Sequence, residues 1–415
     1  MAEQTSLNVD ALKRWLVNQA LLATPVPIIA TELANRLAAL GLPIWRAHVG
    51  FSTLHPQVAS IGLTWTREGK REREEFRHGA FARIAGSSPF YDAIVAAQSQ
   101  ARTSDGLPDA LIPMTRYRLE RGEGVDAYRL LATFRAAGGT DYLCFVLTFG
   151  NEGKLSTSTS GAAISLTSDR AGGFTDEDIA LFADLMPFVG AAVRACAEPA
   201  TTRSLLDVYL GRDVGRRVLE GEVQRGEVSV ISAAILVGDL RGFTTLADEV
   251  PRERLVGMLD DYLDCLITPI EEHGGQVLKF LGDGLLATFA FAGRAASPVC
   301  AETLAAATDA LRKVEDLNAR RRRESLPVMA FDLALHAGDV LYGNVGSDRR
   351  LDFTIVGPAV NEAARLEALC GTLDVPLLAS RRFVDLLAMP DRFHSRGQQT
   401  LRGVRAPVEV FALAG

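Results

Sequence analysis

Residues 277–289, in the second half of the chain, have the sequence VLKFLGDGLLATF. Two apolar runs flank a short segment that contains two glycines, which predicts two buried strands joined by a tight hairpin. Lys279 and Asp283 lie beside this turn. A charged side chain in apolar surroundings costs on the order of several kcal/mol unless a partner compensates it. We therefore expect each of these two residues to face a charged group.

The segments around this hairpin alternate between strand and helix patterns. The predicted elements are, in chain order, a strand at ISAAILVGDL (231–240), a helix over roughly 251–272, the hairpin, a helix over roughly 294–324, a strand at VMAFDLALHAGDV (328–340), a second β-loop, and a helix at AVNEAARLEALCG (359–371). The order β-α-β-β-α-β predicts a ferredoxin-like α+β domain over residues 231–415.

Composition sets limits on the class of protein. The chain has 415 residues, enough for two or three domains, and 48% of them are hydrophobic. The net charge of -7 gives no general basic field, so no nucleic-acid partner is expected. The five cysteines are scattered and never form a Cys-x-x-Cys arrangement, which disfavours a disulfide framework or a zinc site and favours a reducing cytoplasm.

Residues 1–200 carry a second pattern, of helices around an antiparallel sheet. Helical spacing is present over residues 10–40, and a closing helix is predicted at residues 174–196. The strands predicted between these helices are AHVGFSTL (47–54), ASIGLTWT (59–66), YRLLATFRA (128–136) and TDYLCFVLTFG (140–150). This α+β plan resembles a GAF domain, which implies a sensor or regulatory domain whose small-molecule or protein signal the sequence does not identify.

Residues 201–230 read as a helical linker that is broken at Gly211. The apolar spacing fits either a connector packed on one domain or a dimeric signalling linker, and it is too short to decide between them. The start of the chain lacks a basic segment followed by an apolar one, and the apolar stretch at residues 179–193 is interrupted by Asp184. We expect neither export nor a membrane span.

Two pairs of residues are placed for chemistry on charged substrates. Asp239 ends a hydrophobic strand and Asp283 lies in the hairpin. Carboxylates brought together from separate strands repel each other unless a cation lies between them, and oxygen ligands suit Mg²⁺ or Mn²⁺. A strand-terminal Asp is also common as a plain turn or cap residue. Asn361 and Arg365 are four apart in a predicted helix, so an amide and a guanidinium share one face and can reach the same anion.

Taken together, four segments resemble the catalytic domain of class III nucleotidyl cyclases across about residues 228–413. These segments are DLRGFT (239–244), KFLGDG (279–284), LHAGDVLYGNVG (335–346) and DFTIVGPAVNEAARLE (352–367). The resemblance implies conversion of a nucleoside triphosphate to a 3′,5′-cyclic nucleotide and pyrophosphate. It also implies two Mg²⁺ or Mn²⁺ ions per active site and a homodimer whose two active sites are shared between subunits.

The resemblance also assigns roles to single positions. They are Asp239, Leu240 and Asp283 for the metals, Lys279 and Thr354 for the purine, Asn361 and Arg365 for the transition state, and Phe243, Thr244 and Arg402 for further substrate contacts. Arg402 stands where the family has a triphosphate-binding lysine. Pro358 and Ala359 depart from the Asp and Thr that bacterial members often have, with no predicted effect.

The purine-reading pair favours ATP over GTP. A lysine only donates hydrogen bonds, which suits the N1 acceptor of adenine, and the Thr354 hydroxyl can accept from the adenine amino group. Guanylyl cyclases tend to have Glu and Cys at the positions of Lys279 and Thr354. The sequence therefore predicts a cytoplasmic adenylate cyclase. The alternatives are a guanylate cyclase and a catalytically silent nucleotide-binding regulator.

Overall fold

The computed structural model describes residues 2–79, 87–101, 112–149, 161–401 and 407–414. The chain divides into two compact units, Met1–Leu205 and Leu206–Gly415. The boundary between them falls within one long helix, Asp176–Leu210. Each unit has its own sheet and its own hydrophobic core.

The N-terminal unit is built on a six-stranded antiparallel sheet of order β3-β2-β1-β6-β5-β4. Its described elements are α1 (Ala2–Leu21), α2 (Val26–Ala39), β1 (Arg46–Ser52), β2 (Val58–Thr66), β3 (Arg71–Arg77), α3 (Pro89–Ala101), β4 (Met114–Tyr117), a 3₁₀ turn (Leu119–Arg121), α4 (Arg129–Ala136), β5 (Asp141–Thr148), β6 (Gly161–Ser168) and α5 (Asp176–Leu210). Apolar residues of α1, α2 and α5 pack with one face of the sheet, and those of α3 and α4 pack in a second cluster.

One predicted strand of this unit is wrong. Residues 128–136 form the helix α4, not a strand. Leu131 and Phe134 are buried and three residues apart, which places them on one side of a helix. Alternation over such a short segment did not distinguish the two periods. The closing helix begins as expected, with the Thr175 hydroxyl accepting from the Asp178 N–H at 3.1 Å, but it continues to Leu210.

The C-terminal unit contains the predicted β-α-β-β-α-β order with additions. Its elements are α6 (Arg212–Leu219), β7 (Val228–Arg241), α7 (Phe243–Glu249), α8 (Arg252–Glu272), β8 (Gln276–Leu281), β9 (Gly284–Ala290), α9 (Ala296–Arg323), β10 (Ala330–Ser347), β11 (Arg350–Val356), α10 (Pro358–Glu367), α11 (Cys370–Leu373), β12 (Leu377–Ser380), α12 (Arg381–Leu387), a 3₁₀ turn (Pro390–Arg392), β13 (Phe393–Gln399) and β14 (Val408–Leu413).

Its sheet has the order β13-β14-β12-β10-β7-β9-β8, and β11 pairs with the far end of β10. Apolar residues of α8, α9 and α12 form the largest core cluster with the sheet. A smaller cluster joins α6 and α10 to β8, β10 and β11. The long strands β7 and β10 are paired antiparallel along most of their length. Because both are inner strands of the sheet, residues at their ends are fixed by hydrogen bonds of the sheet's centre.

The hairpin has the tight turn that the sequence predicts. Leu281 and Gly284 are directly paired, and only Gly282 and Asp283 lie between them. Gly282 has φ +75°, a left-handed conformation that favours glycine. Gly211 has φ +84° and separates α5 from α6, as its position in the linker predicts.

By length and composition, α5 is the one helix among the described residues that is apolar enough to cross a membrane. The core helix of a soluble protein meets the same criteria, so this is weak evidence. Phe182, Leu185, Met186 and Val189 of α5 are buried in the core of the N-terminal unit.

Candidate active site

The strand β7 and the hairpin bring Asp239 and Asp283 to one place. Gly238 of β7 pairs with Leu285 of β9, which sets the end of β7 beside the turn. An ideal Cβ on Gly284 would lie 2.6 Å from the Asp239 carboxylate oxygen Oδ1. The same Cβ would lie even closer to the Gly238 carbonyl oxygen, so a larger residue at position 284 would clash with the backbone of β7 as well as with Asp239, which explains the second glycine of the hairpin.

The Asp239 carboxylate is in an unfavourable electrostatic setting. Partial burial and, after it, the charges of Asp283 and Asp332 together raise its pKa from 3.8 to about 6, against a hydrogen bond from the Leu240 N–H that lowers it. Two carboxylates that repel each other are oxygen ligands whose negative charge a divalent cation can neutralise. The residues therefore fit a hard metal ion.

Leucine has no side-chain oxygen and the Leu240 side chain is buried in the core, so the backbone carbonyl is the group of this residue that could serve as an oxygen ligand. Over the ranges that the structure describes, no group of three or more His, Cys, Asp or Glu side chains is arranged to hold a metal ion. Asp239 and Asp283 are the predicted ligand side chains that the structure brings together.

Glu367 is a third carboxylate in this region that the sequence reasoning missed. Burial and, after it, the charges of Asp239, Asp332 and Asp283 together raise its pKa from 4.5 to about 7. Glu367 lies two residues after Arg365 on α10, and residues two apart on a helix point to roughly opposite sides. The helix therefore presents Arg365 and Glu367 to different surroundings.

A neighbouring acidic residue already has a partner. The Arg241 guanidinium donates to Asp332 at 2.9 Å and to Asp374 at 3.0 Å. Asp332 is directly opposite Asp239 in the pairing of β10 with β7. This ion pair compensates Asp332 from within the protein, whereas Asp239 has no cationic partner among the described residues.

Lys279 has a partner that the sequence did not reveal. Its ammonium Nζ lies 3.2 Å from the Asp352 carboxylate, and the side chains are 34% and 54% exposed. Asp352 is on β11, two residues before Thr354. The Thr354 hydroxyl is buried, and it has no hydrogen-bond partner within the described ranges. Lys279 and Asp283 are four residues apart, yet Lys279 pairs with Asp352 whereas Asp283 adjoins Asp239.

Asn361 and Arg365 lie on α10 and line one surface cavity of about 430 Å³. Ala364, Ala368, Leu369, Thr400 and Leu401 complete its lining. The structure thus brings Asn361 and Arg365, the predicted transition-state pair, together on one helix face. The cavity beside them is lined mostly by small or apolar side chains. An amide and a guanidinium at such a cavity can bind an anionic or phosphorylated group.

The remaining predicted positions differ in what the structure shows. Phe243 begins α7 and packs against the main core, and Thr244 follows it in the same helix. Arg402 lies outside the described residues. Pro358 occupies the first turn of α10, where its fixed φ and missing N–H are tolerated. Ala359 packs closely on Gly338, whose ideal Cβ would lie 2.6 Å from the Ala359 Cβ.

Comparisons with known proteins bear on the second unit. Residues 227–415 match the family model of the adenylate and guanylate cyclase catalytic domain. An uncharacterized protein of Mycobacterium tuberculosis is 31% identical over 222 residues, which are 53% of this chain and 38% of that protein. An adenylate cyclase of Anabaena cylindrica is 29% identical over 174 residues, 42% of this chain and 34% of that protein. The crystal structure of the guanylyl cyclase Cya2 is 26% identical with a TM-score of 0.40, covering 45% of this chain and 94% of that one.

The chain therefore spans about two fifths or less of the length of these two curated relatives. The matched region begins just before β7 and includes the hairpin, Thr354 and α10. It thus contains both aspartates, Lys279, Thr354 and the cavity on α10. Residues 227–415 form a catalytic domain of the adenylate and guanylate cyclase family.

Proposed function

We propose that this protein is an adenylyl cyclase that converts ATP to 3′,5′-cyclic AMP and pyrophosphate. The observation that carries the proposal is the carboxylate pair Asp239 and Asp283, held at the end of β7 and in the hairpin of a cyclase-family domain. The ribose 3′-hydroxyl loses its proton to solvent and its oxygen attacks the α-phosphorus. The bond from the α-phosphorus to the oxygen that bridges to the β-phosphate breaks, and pyrophosphate leaves with the electron pair of that bond.

The residues divide this reaction between them. Asp239 and Asp283, with the backbone carbonyl of Leu240, are the groups that would hold Mg²⁺ or Mn²⁺, which when bound lowers the pKa of the 3′-hydroxyl and stabilises the triphosphate charge. Arg365 donates to the transferring phosphoryl group, and Asn361 positions the ribose. Both side chains line the same cavity on α10, where they can reach one substrate together.

The preference for ATP rests on Lys279 and Thr354. The ammonium donates to adenine N1, and the buried Thr354 hydroxyl, which has no partner within the described ranges, can accept from the adenine amino group. Guanine carries a hydrogen on N1 that opposes the ammonium, so the wrong base leaves buried polar groups unpaired. The matched relatives include both an adenylate and a guanylyl cyclase, so the base assignment depends on these two residues.

The working unit in this proposal is a homodimer. Val230 and Leu341 are directly paired across β7 and β10, and their side chains are exposed. Phe280, Leu281 and Leu351 are further exposed apolar residues of β8 and β11. Apolar side chains on neighbouring strands are typical of a surface that is covered in an assembly. In such a dimer Lys279 serves one active site and Asp283 the other.

The experiment that tests the proposal incubates the purified full chain with ATP or GTP and with Mg²⁺ or Mn²⁺, and identifies the products by mass. Cyclic AMP formed from ATP in clear excess over cyclic GTP from GTP is the expected result. Preferred use of GTP would instead identify a guanylyl cyclase. Nucleotide binding without any cyclic product would identify a silent regulator.

The N-terminal unit is proposed to be a regulatory sensor in the cytoplasm, where ATP is available. Every motif of the cyclase chemistry lies beyond residue 227, and residues 1–205 have a core of their own. We expect a chain that begins near residue 200 to retain cyclic AMP formation and to lose responses of the full chain to added signals. A shorter protein that is folded and dimeric but inactive would contradict a separable sensor.

A further inference from the structure

Two polar residues of β11 lie close to Lys279 of β8. Asp352 and Thr354 are two residues apart, and alternate residues of a strand point to the same face of a sheet. The Asp352 carboxylate contacts the Lys279 ammonium at 3.2 Å, and the buried Thr354 hydroxyl has no partner among the described residues. An ammonium, a carboxylate and a hydroxyl without a partner among the described residues therefore occur together on β8 and β11.

Lys279 needs a fixed position to read a base. A lysine side chain has four rotatable bonds and a strongly hydrated ammonium, so alone it samples many positions. Asp352 uses one of the three ammonium donors and leaves the other two for a ligand. Because the pair is partly exposed to water, it contributes little to folding stability. Its presence is thus better explained by orientation of the ammonium than by stability.

We propose that Asp352 is a positioning residue that holds Lys279 beside Thr354 and thereby sets the preference for ATP over GTP. This inference rests on the proposed function, since it concerns the base-reading part of the same site. Without the carboxylate, the ammonium is free to turn away from adenine N1 or toward the O6 acceptor of guanine. The ATP reaction then loses an oriented donor, while the GTP reaction loses nothing.

The test measures kcat and KM for ATP and GTP with the full-length protein and with Asp352→Asn and Asp352→Glu. We expect Asp352→Asn to lower kcat/KM for ATP by about tenfold, mainly through KM, with little change for GTP. Asp352→Glu should restore part of the ratio because it keeps a carboxylate. Asp348→Asn is the matched control, since Asp348 is 86% exposed beyond the end of β10 and pairs with Arg225. It should leave the ratio unchanged.

A second measurement separates positioning from direct contact with the base. In a Lys279→Ala background, Asp352→Asn should have no further effect on the ATP-to-GTP ratio, because Asp352 acts through the lysine. An undiminished effect in that background would mean that Asp352 itself contacts the base and would overturn the inference. An unchanged ratio in Asp352→Asn alone would also overturn it. If the wild-type protein forms no cyclic nucleotide, the proposed function fails, and the same ratios are then taken from equilibrium binding of ATP and GTP.

Discussion

Asp239→Asn and Asp283→Asn should each lower cyclic AMP formation by about a thousandfold, because each removes a carboxylate proposed to hold the catalytic cations. A loss of about 4 kcal/mol of transition-state stabilisation corresponds to this factor. Asparagine has the size of aspartate, so the packing of Asp239 against Gly284 is kept. The rate of product formation at saturating ATP and Mn²⁺ checks the expectation, and turnover within a few-fold of wild type would contradict it.

The unfolding temperature of Asp239→Asn distinguishes a loss of function from a folding defect. The pKa of Asp239 is about 6 in the folded protein against an ordinary value of 3.8, so the folded state holds this proton more tightly. Its contribution to stability is present below about pH 4 and is lost as the pH rises through about 6. At pH 7.5 without divalent cations, Asp239→Asn should therefore unfold at the same or a higher temperature than wild type.

Mn²⁺ should raise the unfolding temperature of the wild-type protein, because a cation that binds only the folded state stabilises it. This increase should be much smaller in Asp239→Asn and Asp283→Asn. Asp260→Asn, which changes an exposed carboxylate on α8, is the control and should respond to Mn²⁺ as wild type does. Equal increases in all four proteins would mean that the aspartates do not bind the cation.

Asp239→Asn and Arg365→Ala, each inactive alone, should recover about one quarter of wild-type activity when the two chains are co-expressed. In the proposed homodimer, each active site takes its aspartates from one subunit and Arg365 from the partner. A mixed dimer collects both lesions in one site and leaves the other intact. Random pairing makes half of the dimers mixed, and each mixed dimer has one of its two active sites intact. One quarter of all active sites are therefore intact. Cyclic AMP formation per total protein measures the recovery.

A matched pair of substitutions controls for this experiment. Co-expressed Asp239→Asn and Asp283→Asn should show no recovery, since both aspartates serve the same active site and a mixed dimer has both sites damaged. Recovery in this pair as well would indicate subunit effects on stability in place of shared sites. Mixed dimers of Asp239→Asn and Arg365→Ala that form in normal amounts and remain inactive would rule out shared sites.

The elements of the C-terminal domain were predictable because their signals are local. The hairpin at residues 277–289 follows from two apolar runs and two glycines, and Gly282 has the positive φ that such a turn requires. Asn361 and Arg365 share a face because a helix returns to the same side about every four residues, and they line one cavity. The strand predicted at residues 128–136 was wrong, because the helical period of this short segment becomes clear only from the burial of Leu131 and Phe134 on one side of the helix.

Local sequence patterns were therefore sufficient to predict the order of the elements in the catalytic domain, the turn of the hairpin and the shared face of Asn361 and Arg365 on α10. Which charged side chains meet depends on the tertiary structure. Lys279 and Asp352 are 73 positions apart, and their contact exists because β8 and β11 come together in the folded domain. Glu367 is brought near Asp239 in the same way. Such contacts depend on how strands and helices pack, and periodicity along the chain carries no information about the distance between two side chains on different elements.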